Sequence, residues 1–352
     1  MLRNTKLAAL RVLKRAGGFE AVANSKWRRS RLLILCYHGT SLEDEHQWRP
    51  PLYVAPEILE QRLQSLRTMR CSVLPLGEAL QRLGAGDLPP RSVAVTFDDG
   101  TYDFYRQAYP LLKKYDVPVT VYQTTYYSDN PIPVFNLICS YMLWKRRAEK
   151  LTAIPEIGLT QTMDLGTQLG RHRVVRSLVE RADREHLTGG EKNQIASRLA
   201  HALRIDYRDL ESRRILQLMN AQEIAEVANH GVDVQLHTHR HRTPDDEALF
   251  QRELDDNRRR IETLTGKSPR HFCYPSGVYR REFVSWLEKD GVLSATTCDA
   301  GLVQAGDNPF LLSRFVDTTG RTQLEFESWV SGVGALVALR KTATQRYTVP
   351  KD

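Results

Sequence analysis

The chain has 352 residues, 41% of them hydrophobic and 26% charged, a balance that suits a globular protein with one large core and additions, or two domains. Its net charge of +8 invites a nucleic-acid reading, but nine basic residues and one acidic residue lie in 1–31, leaving 41 of each sign in the rest, so a basic body is excluded. No apolar run approaches a membrane span, "LAAL" is too short for a secretory core, and five widely spaced cysteines without CxxC exclude a disulfide framework or a cysteine zinc site. A cytoplasmic protein is expected.

Residues 1–30 form a basic extension. Leu2, Leu7, Leu10 and Leu13 are spaced to give a helix one apolar stripe beside its cations. Such a helix either docks on the body or lies on an anionic membrane face, so peripheral contact through 1–31 is the membrane expectation. No nucleic-acid partner is expected, since no reader motif accompanies the charge. "RLLILCYHGT" (31–40) begins as an apolar strand and ends at Tyr37-His38-Gly39. A helix is predicted over 55–69, where Pro56 suits the first turn, and a shorter one over "LPLGEALQRLGAG". "VAVTFDDG" (93–100) reads as a buried strand leading into a turn; "FYRQAYPLLKKY" is a helix and "VPVTVYQTT" (117–125) another strand. Strands alternating with helices predict a parallel sheet covered by helices.

Residues 129–220 break that rhythm and read as a mostly helical insertion. "AQEIAEVANHG" is then a helix with Gly231 at its end, "VDVQLHTH" a strand, "EALFQRELDDNRRRIETLTG" a long amphipathic helix and "HFCYPSG" a strand meeting a turn. "REFVSWLEKDG" is a helix, "LSATT" and "FLLSRFVD" are strands, and a C-terminal helix and tail occupy 321–352. The main domain is thus 31–320, with the insertion inside it.

Asp98 and Asp99 stand side by side at a strand end, where two carboxylates repel and lose hydration unless a cation offsets them. His237 and His241, four apart in "QLHTHRHR", share a face on either a helix or a strand. Both pairs fall at the C-terminal ends of predicted parallel strands, where α/β folds gather ligand sites. Two imidazoles and one carboxylate leave positions open on a divalent metal, and the second aspartate is free to take a proton from an attacking water.

These residues resemble the polysaccharide deacetylase family (NodB homology domain, carbohydrate esterase family 4): "TFDDG" matches its first motif, "HTHRH" its second, and "RHFCYPSG" (270–277) its third more loosely. The similarity is placed at about 32–130 and 221–316, outside the insertion. The resemblance implies an α/β fold, a distorted (β/α) barrel of about seven parallel strands, and removal of N-acetyl groups from an amino-sugar oligo- or polysaccharide of the bacterial surface. It assigns Asp98 as general base and Asp99, His237 and His241 as ligands of a divalent metal, Zn²⁺ first, with Co²⁺ or Ni²⁺ as alternatives. Arg270 would tune Asp98, and Thr238, Tyr37, Tyr274, Pro275 and Ser276 would fix the loop or face the substrate, with a backbone N–H near Ser276 for the oxyanion. The family's late Leu-x-x-His is missing, because no histidine follows His271. Protonated His38, in "YH" on the first strand, takes the general-acid role. Two other readings fit parts of the pattern. A 2-His-1-carboxylate oxygenase leaves Asp98 without a task, and a degenerate glycan-binding member accounts for the altered third motif. With no export signal read, a precursor at the inner membrane face is the expected substrate. Oligomeric state is not legible.

Overall fold

The computed structural model describes residues 2–338. The seven principal strands are β1 (Arg31–Tyr37), β2 (Ser92–Phe97), β3 (Thr120–Gln123), β4 (Asp233–Leu236), β5 (His271–Cys273), β6 (Ser294–Thr296) and β7 (Phe315–Val316). They pair in parallel in the order β1-β2-β3-β4-β5-β6. A parallel bridge from Thr296 to Leu312, and the pairing of Leu35 with Phe315, lead from β6 through β7 back to β1. The sheet therefore curls into the distorted (β/α) barrel of seven parallel strands expected from the motifs. The short segments Ser72–Val73 and Val303–Gln304 add to β2 and β1, the second of them antiparallel.

Alternation decides which residues can reach the centre of this ring. Leu32, Ile34, Ala94, Tyr122, Cys273 and Leu312 form one buried cluster with the helix Leu76–Ala85. Their odd or even alternates, among them Leu35, Tyr37, Val95, Phe97, Leu236, Phe272 and Phe315, pack outward against Leu59, Leu63, Ile224 and Leu254 of the surrounding helices. Each large apolar side chain so buried contributes about 1.5–3 kcal/mol. The helix Pro56–Thr68 starts at its proline as predicted. In "FYRQAYPLLKKY", Pro110 has no N–H to donate, and a wide π turn (Phe104–Ala108) precedes regular helix over Tyr109–Lys114.

The segment 129–220 carries the helices Phe135–Lys145, Gln168–Arg184, Gly189–Ala202 and Tyr207–Ser212, and also a two-stranded ribbon, Lys150–Leu151 with Met163–Asp164. It has its own core, including Ile138, Met142, Val174, Leu178 and Leu199. Helices Leu2–Arg15 and Gly18–Ala23 pack against Gln323–Ser331 and Val333–Val337 through Leu10, Phe19, Val22, Leu324 and Val333, and the helix Lys26–Arg29 is tied to Val330 by Arg28. The closing helix predicted as one piece is broken at Gly332, whose φ is +94°, and resumes over Val333–Val337. Residues 339–352 of the predicted tail lie outside the described residues. No helix among the described residues is long and apolar enough to cross a membrane.

Candidate functional site

The register carries the chemistry to one end of the ring. Cys36 pairs with Thr96, so His38 and Asp98 follow at one level on the inward face, and the β3–β4 pairing brings His237 beside them. Asp98 is 2% exposed, and its N–H donates to the Tyr37 carbonyl at 2.9 Å. Asp99 has φ +69°, left-handed backbone that a non-glycine residue adopts at a cost of about 1–2 kcal/mol. The following Gly100 also has positive φ, and a Cβ there would fall 2.0 Å from Gln123 Oε1. This is why the turn ends in glycine. The bend sends the two adjacent carboxylates to different partners.

Asp99 Oδ1 lies 3.1 Å from His237 Nε2 and 3.2 Å from His241 Nε2. The other ring nitrogen of His237, Nδ1, is 2.8 Å from the Cys273 carbonyl. A carbonyl only accepts, so Nδ1 carries the hydrogen and Nε2 turns its lone pair toward Asp99 whenever the ring is neutral. Three lone-pair donors facing one point suit a cation, and the carbonyl holds the ring in the orientation that ligation needs. Around His241, burial favours the neutral ring, but the charge and hydrogen bond of Asp99 outweigh it and raise its pKa. Two further triads, Cys36–His38–Asp98 and Asp98–His237–Cys273, also bring donor atoms together. Both depend on Asp98, which already faces a fixed cation.

That cation is Arg314. Its Nη1 donates to Asp98 Oδ1 and its Nη2 to Oδ2, each at 2.7 Å, and its side chain is fully buried. Burial alone would raise the Asp98 pKa. The charge and hydrogen bonds of Arg314, with His38 and His237 adding to them, reverse this and hold it well below the usual carboxylate range. Arg270, expected in this place, is exposed, and its backbone N–H donates to Gln235 Oε1. The correction follows from ring closure: β7 brings position 314 to the inward face next to β6, while residue 270 lies before β5 begins, at the far end from Asp98. Cys36 and Cys273 place sulfur 3.6 and 3.5 Å from Asp98 Oδ2, and Cys273 Sγ is 3.1 Å from Arg314 Nη2.

His38 Nε2 is 3.6 Å from Asp98 Oδ2, with the side chain 17% exposed and so reachable from the mouth. Burial lowers its pKa and outweighs Asp98 and Asp99, which act the other way. The resting ring is therefore held neutral more firmly than a free histidine, against the expectation of a standing imidazolium.

Four of the five residues expected to fix the loop or face the substrate are internal. Tyr37 is an outward alternate, 1% exposed, with its hydroxyl donating to Asp317 Oδ2. Tyr274 is fully buried and donates to the Phe310 carbonyl. Thr238 is fully buried with φ +61°, and its Oγ1 accepts the Arg242 N–H, so it fixes the loop between the two histidines rather than meeting ligand. Pro275 is also buried. Ser276 alone of the set is exposed, with φ +57° on the mouth side of β5, and its N–H meets no acceptor among the described residues.

Residues not anticipated from the sequence hold this loop. Asn257, fully buried on the helix Glu247–Thr265, accepts the His237 N–H at 2.9 Å and donates to the Gln123 carbonyl and Thr125 Oγ1. Glu253 on the same helix accepts the Arg240 N–H. His239 is drawn aside to Thr125 Oγ1. The helical segment braces the aspartate turn, since the Met219 N–H donates to the Gly100 carbonyl and the Tyr102 N–H to the Gln217 carbonyl.

The family model described as polysaccharide deacetylase matches residues 85–180 and 190–294, so the match continues through most of the helical segment that the motifs alone left outside. Curated poly-beta-1,6-N-acetyl-D-glucosamine N-deacetylases of Staphylococcus aureus are 37% identical over 67 residues, 19% of this chain, and the aligned part spans 23% of their length. Among solved structures, IcaB from Ammonifex degensii aligns with TM-score 0.53 at 19% identity, covering 87% of this chain and 97% of its own. The Streptococcus pyogenes deacetylase PplD, solved with acetate, aligns with TM-score 0.52 at 19% identity, covering 82% and 93%. At these identities the structural likeness establishes the fold.

Proposed function

Because this chain belongs to the polysaccharide deacetylase family, we propose that it hydrolyses N-acetyl groups of an amino-sugar oligo- or polysaccharide with a divalent metal held by Asp99, His237 and His241. The observation that carries the reading is the division of labour within one dipeptide: Asp99 faces two imidazoles and Asp98 faces a guanidinium. The donor set of two nitrogens and one oxygen suits Zn²⁺, with Co²⁺ or Ni²⁺ as alternatives, and leaves room for substrate. Bound there, the metal supplies Lewis-acid polarisation of the acetyl carbonyl and a more acidic water.

The residues do the rest. Asp98, kept anionic by Arg314, takes a proton from the attacking water. The departing amine needs one proton: the proton that Asp98 takes from water passes to the neutral His38 ring, whose Nε2 stands 3.6 Å from Asp98 Oδ2, and the imidazolium so formed gives it to the amine. The Ser276 N–H, at an exposed residue, would donate to the developing oxyanion. Atoms balance as one water consumed, one acetate and one amine released. A binding-only role leaves the Asp98–Arg314 pair without a function, and an oxygenase would leave Asp98 without one. The S. aureus relatives named for poly-beta-1,6-N-acetyl-D-glucosamine make that polymer the first substrate to try.

Metal analysis of the purified chain, run beside acetate release from chitooligosaccharides and β-1,6-linked N-acetylglucosamine oligomers, tests the reading. About one equivalent of metal and acetate release abolished by chelation are expected; full activity after complete metal removal would overturn it. His241→Ala should weaken metal retention by about 10²-fold or more and remove turnover. His38→Gln should slow amide hydrolysis by about 10²–10⁴-fold while sparing p-nitrophenyl acetate, whose leaving group needs no proton. Equal losses on both substrates would remove the acid role.

A further inference from the structure

The helix Leu2–Arg15 contains no acidic residue. Its inner face is occupied: Leu7 and Leu10 are buried, Arg3 pairs with Glu325 and donates to the Gly320 carbonyl, and Lys14 pairs with Glu327. At 100° per residue the opposite face is Thr5, Ala8, Ala9, Val12 and Ala16, all exposed, with Val12 at 68%. Arg11 and Arg15 flank this strip on one side and Lys6 and Leu13 on the other. Lys26 and Arg29 are also exposed, in the short helix Lys26–Arg29, and none of these five cations forms an ion pair among the described residues. Elsewhere on the surface about half of the cations are matched, as in Lys114–Glu60, Lys145–Asp44 and Arg280–Asp245.

We infer that this outward face rests on an anionic lipid bilayer, a membrane-docking surface independent of the catalytic site. Charge complementarity selects the occupant: a shallow apolar strip bordered on both sides by cations matches a headgroup layer, where apolar atoms sink and cations meet phosphates. Alanine and valine offer little area, so charge supplies most of the attachment, and binding should fall steeply with salt. The docked inner face keeps the helix folded before it meets lipid, so no ordering of the segment opposes association.

The test is vesicle flotation of the full chain at low and high salt. One set of vesicles is phosphatidylcholine alone and the other includes phosphatidylglycerol. Binding only to the anionic vesicles, lost at high salt, is expected. Each cation near such a surface is worth about fivefold in affinity, so Arg11→Gln/Arg15→Gln should bind about 25-fold more weakly. Both side chains are exposed, and an unchanged thermal midpoint shows the fold intact by a readout separate from acetate release. Equal binding to both vesicle types, or a double variant that floats like the parent, would overturn the inference. So would a dimer in sedimentation that Val12→Asp dissolves, which would assign the face to a second copy. Deleting 1–30 would be a poor probe, because it removes Arg28, which is fully buried and donates to the Arg31, Ser92 and Val330 carbonyls.

Discussion

Asp98→Asn is expected to retain metal at the parental stoichiometry and to lose acetate release by about 10²–10⁴-fold. The metal is assigned to Asp99, and removing the neighbouring charge leaves that oxygen and both imidazoles in place. The substitution has a second effect, on stability. It strips a fully buried guanidinium of its anion, and breaking a buried pair from one side costs about 3–5 kcal/mol. Chemical denaturation should therefore show Asp98→Asn less stable than the parent even with metal bound. A variant that released acetate at near-parental rate would end the base assignment, whatever its stability.

Arg314→Met is the complementary experiment. The planar fork donates to both Asp98 oxygens, which lysine could not reproduce. Without it, burial is left to act on Asp98 and its pKa rises. The base must be ionised to work, so the acid limb of the pH–rate profile should move toward neutrality, with the rate recovering as pH increases. A purely structural arginine would lower activity at every pH and leave the limb where it was. The stability linkage has the same sign. A carboxyl whose folded pKa is depressed contributes stability above its unfolded pKa near 4, and loses it as pH falls through the folded value. In Arg314→Met that contribution vanishes, so the variant should lose less additional stability on acidification than the parent does. Because the two groups form one buried pair, Asp98→Asn/Arg314→Met should be more stable than the sum of the single losses predicts, by a few kcal/mol or about the cost of one orphaned charge.

The parts of the site carried by short chain segments were legible. "FDDG" and "HTHRH" each place their donors within a few residues, and the strand ends before them are apolar enough to read. Arg314 was not, because its partner Asp98 directly follows β2 and only closure of the ring brings them together. One signal existed: "FLLSRFVD" sets a single cation inside an apolar strand, three residues before Asp317, and a charge there needs a buried partner. Arg270 drew the assignment because it stands near Pro275 in sequence, although three residues of extended strand carry it away from the mouth. Tyr37 and Tyr274 were misplaced for want of alternation. Cys36 and His38 point inward, so Tyr37 must point out, and Tyr274 follows Cys273 in the same way. Asn257 could not be read as a brace from its helix alone, where a single amide among polar residues has many uses.

The pairing of Leu35 with Phe315 has a consequence for biogenesis. β1 leaves the ribosome well before β7, and one of its edges finds its permanent neighbour only when Phe315, 280 residues after Leu35, has been made. At about 5–20 residues per second, that unpaired edge of Leu32–Tyr37 stays available for tens of seconds. Such an edge is a template for wrong pairing. Nascent chains stalled before Phe315 should therefore engage chaperones and aggregate, while those that have passed it should not.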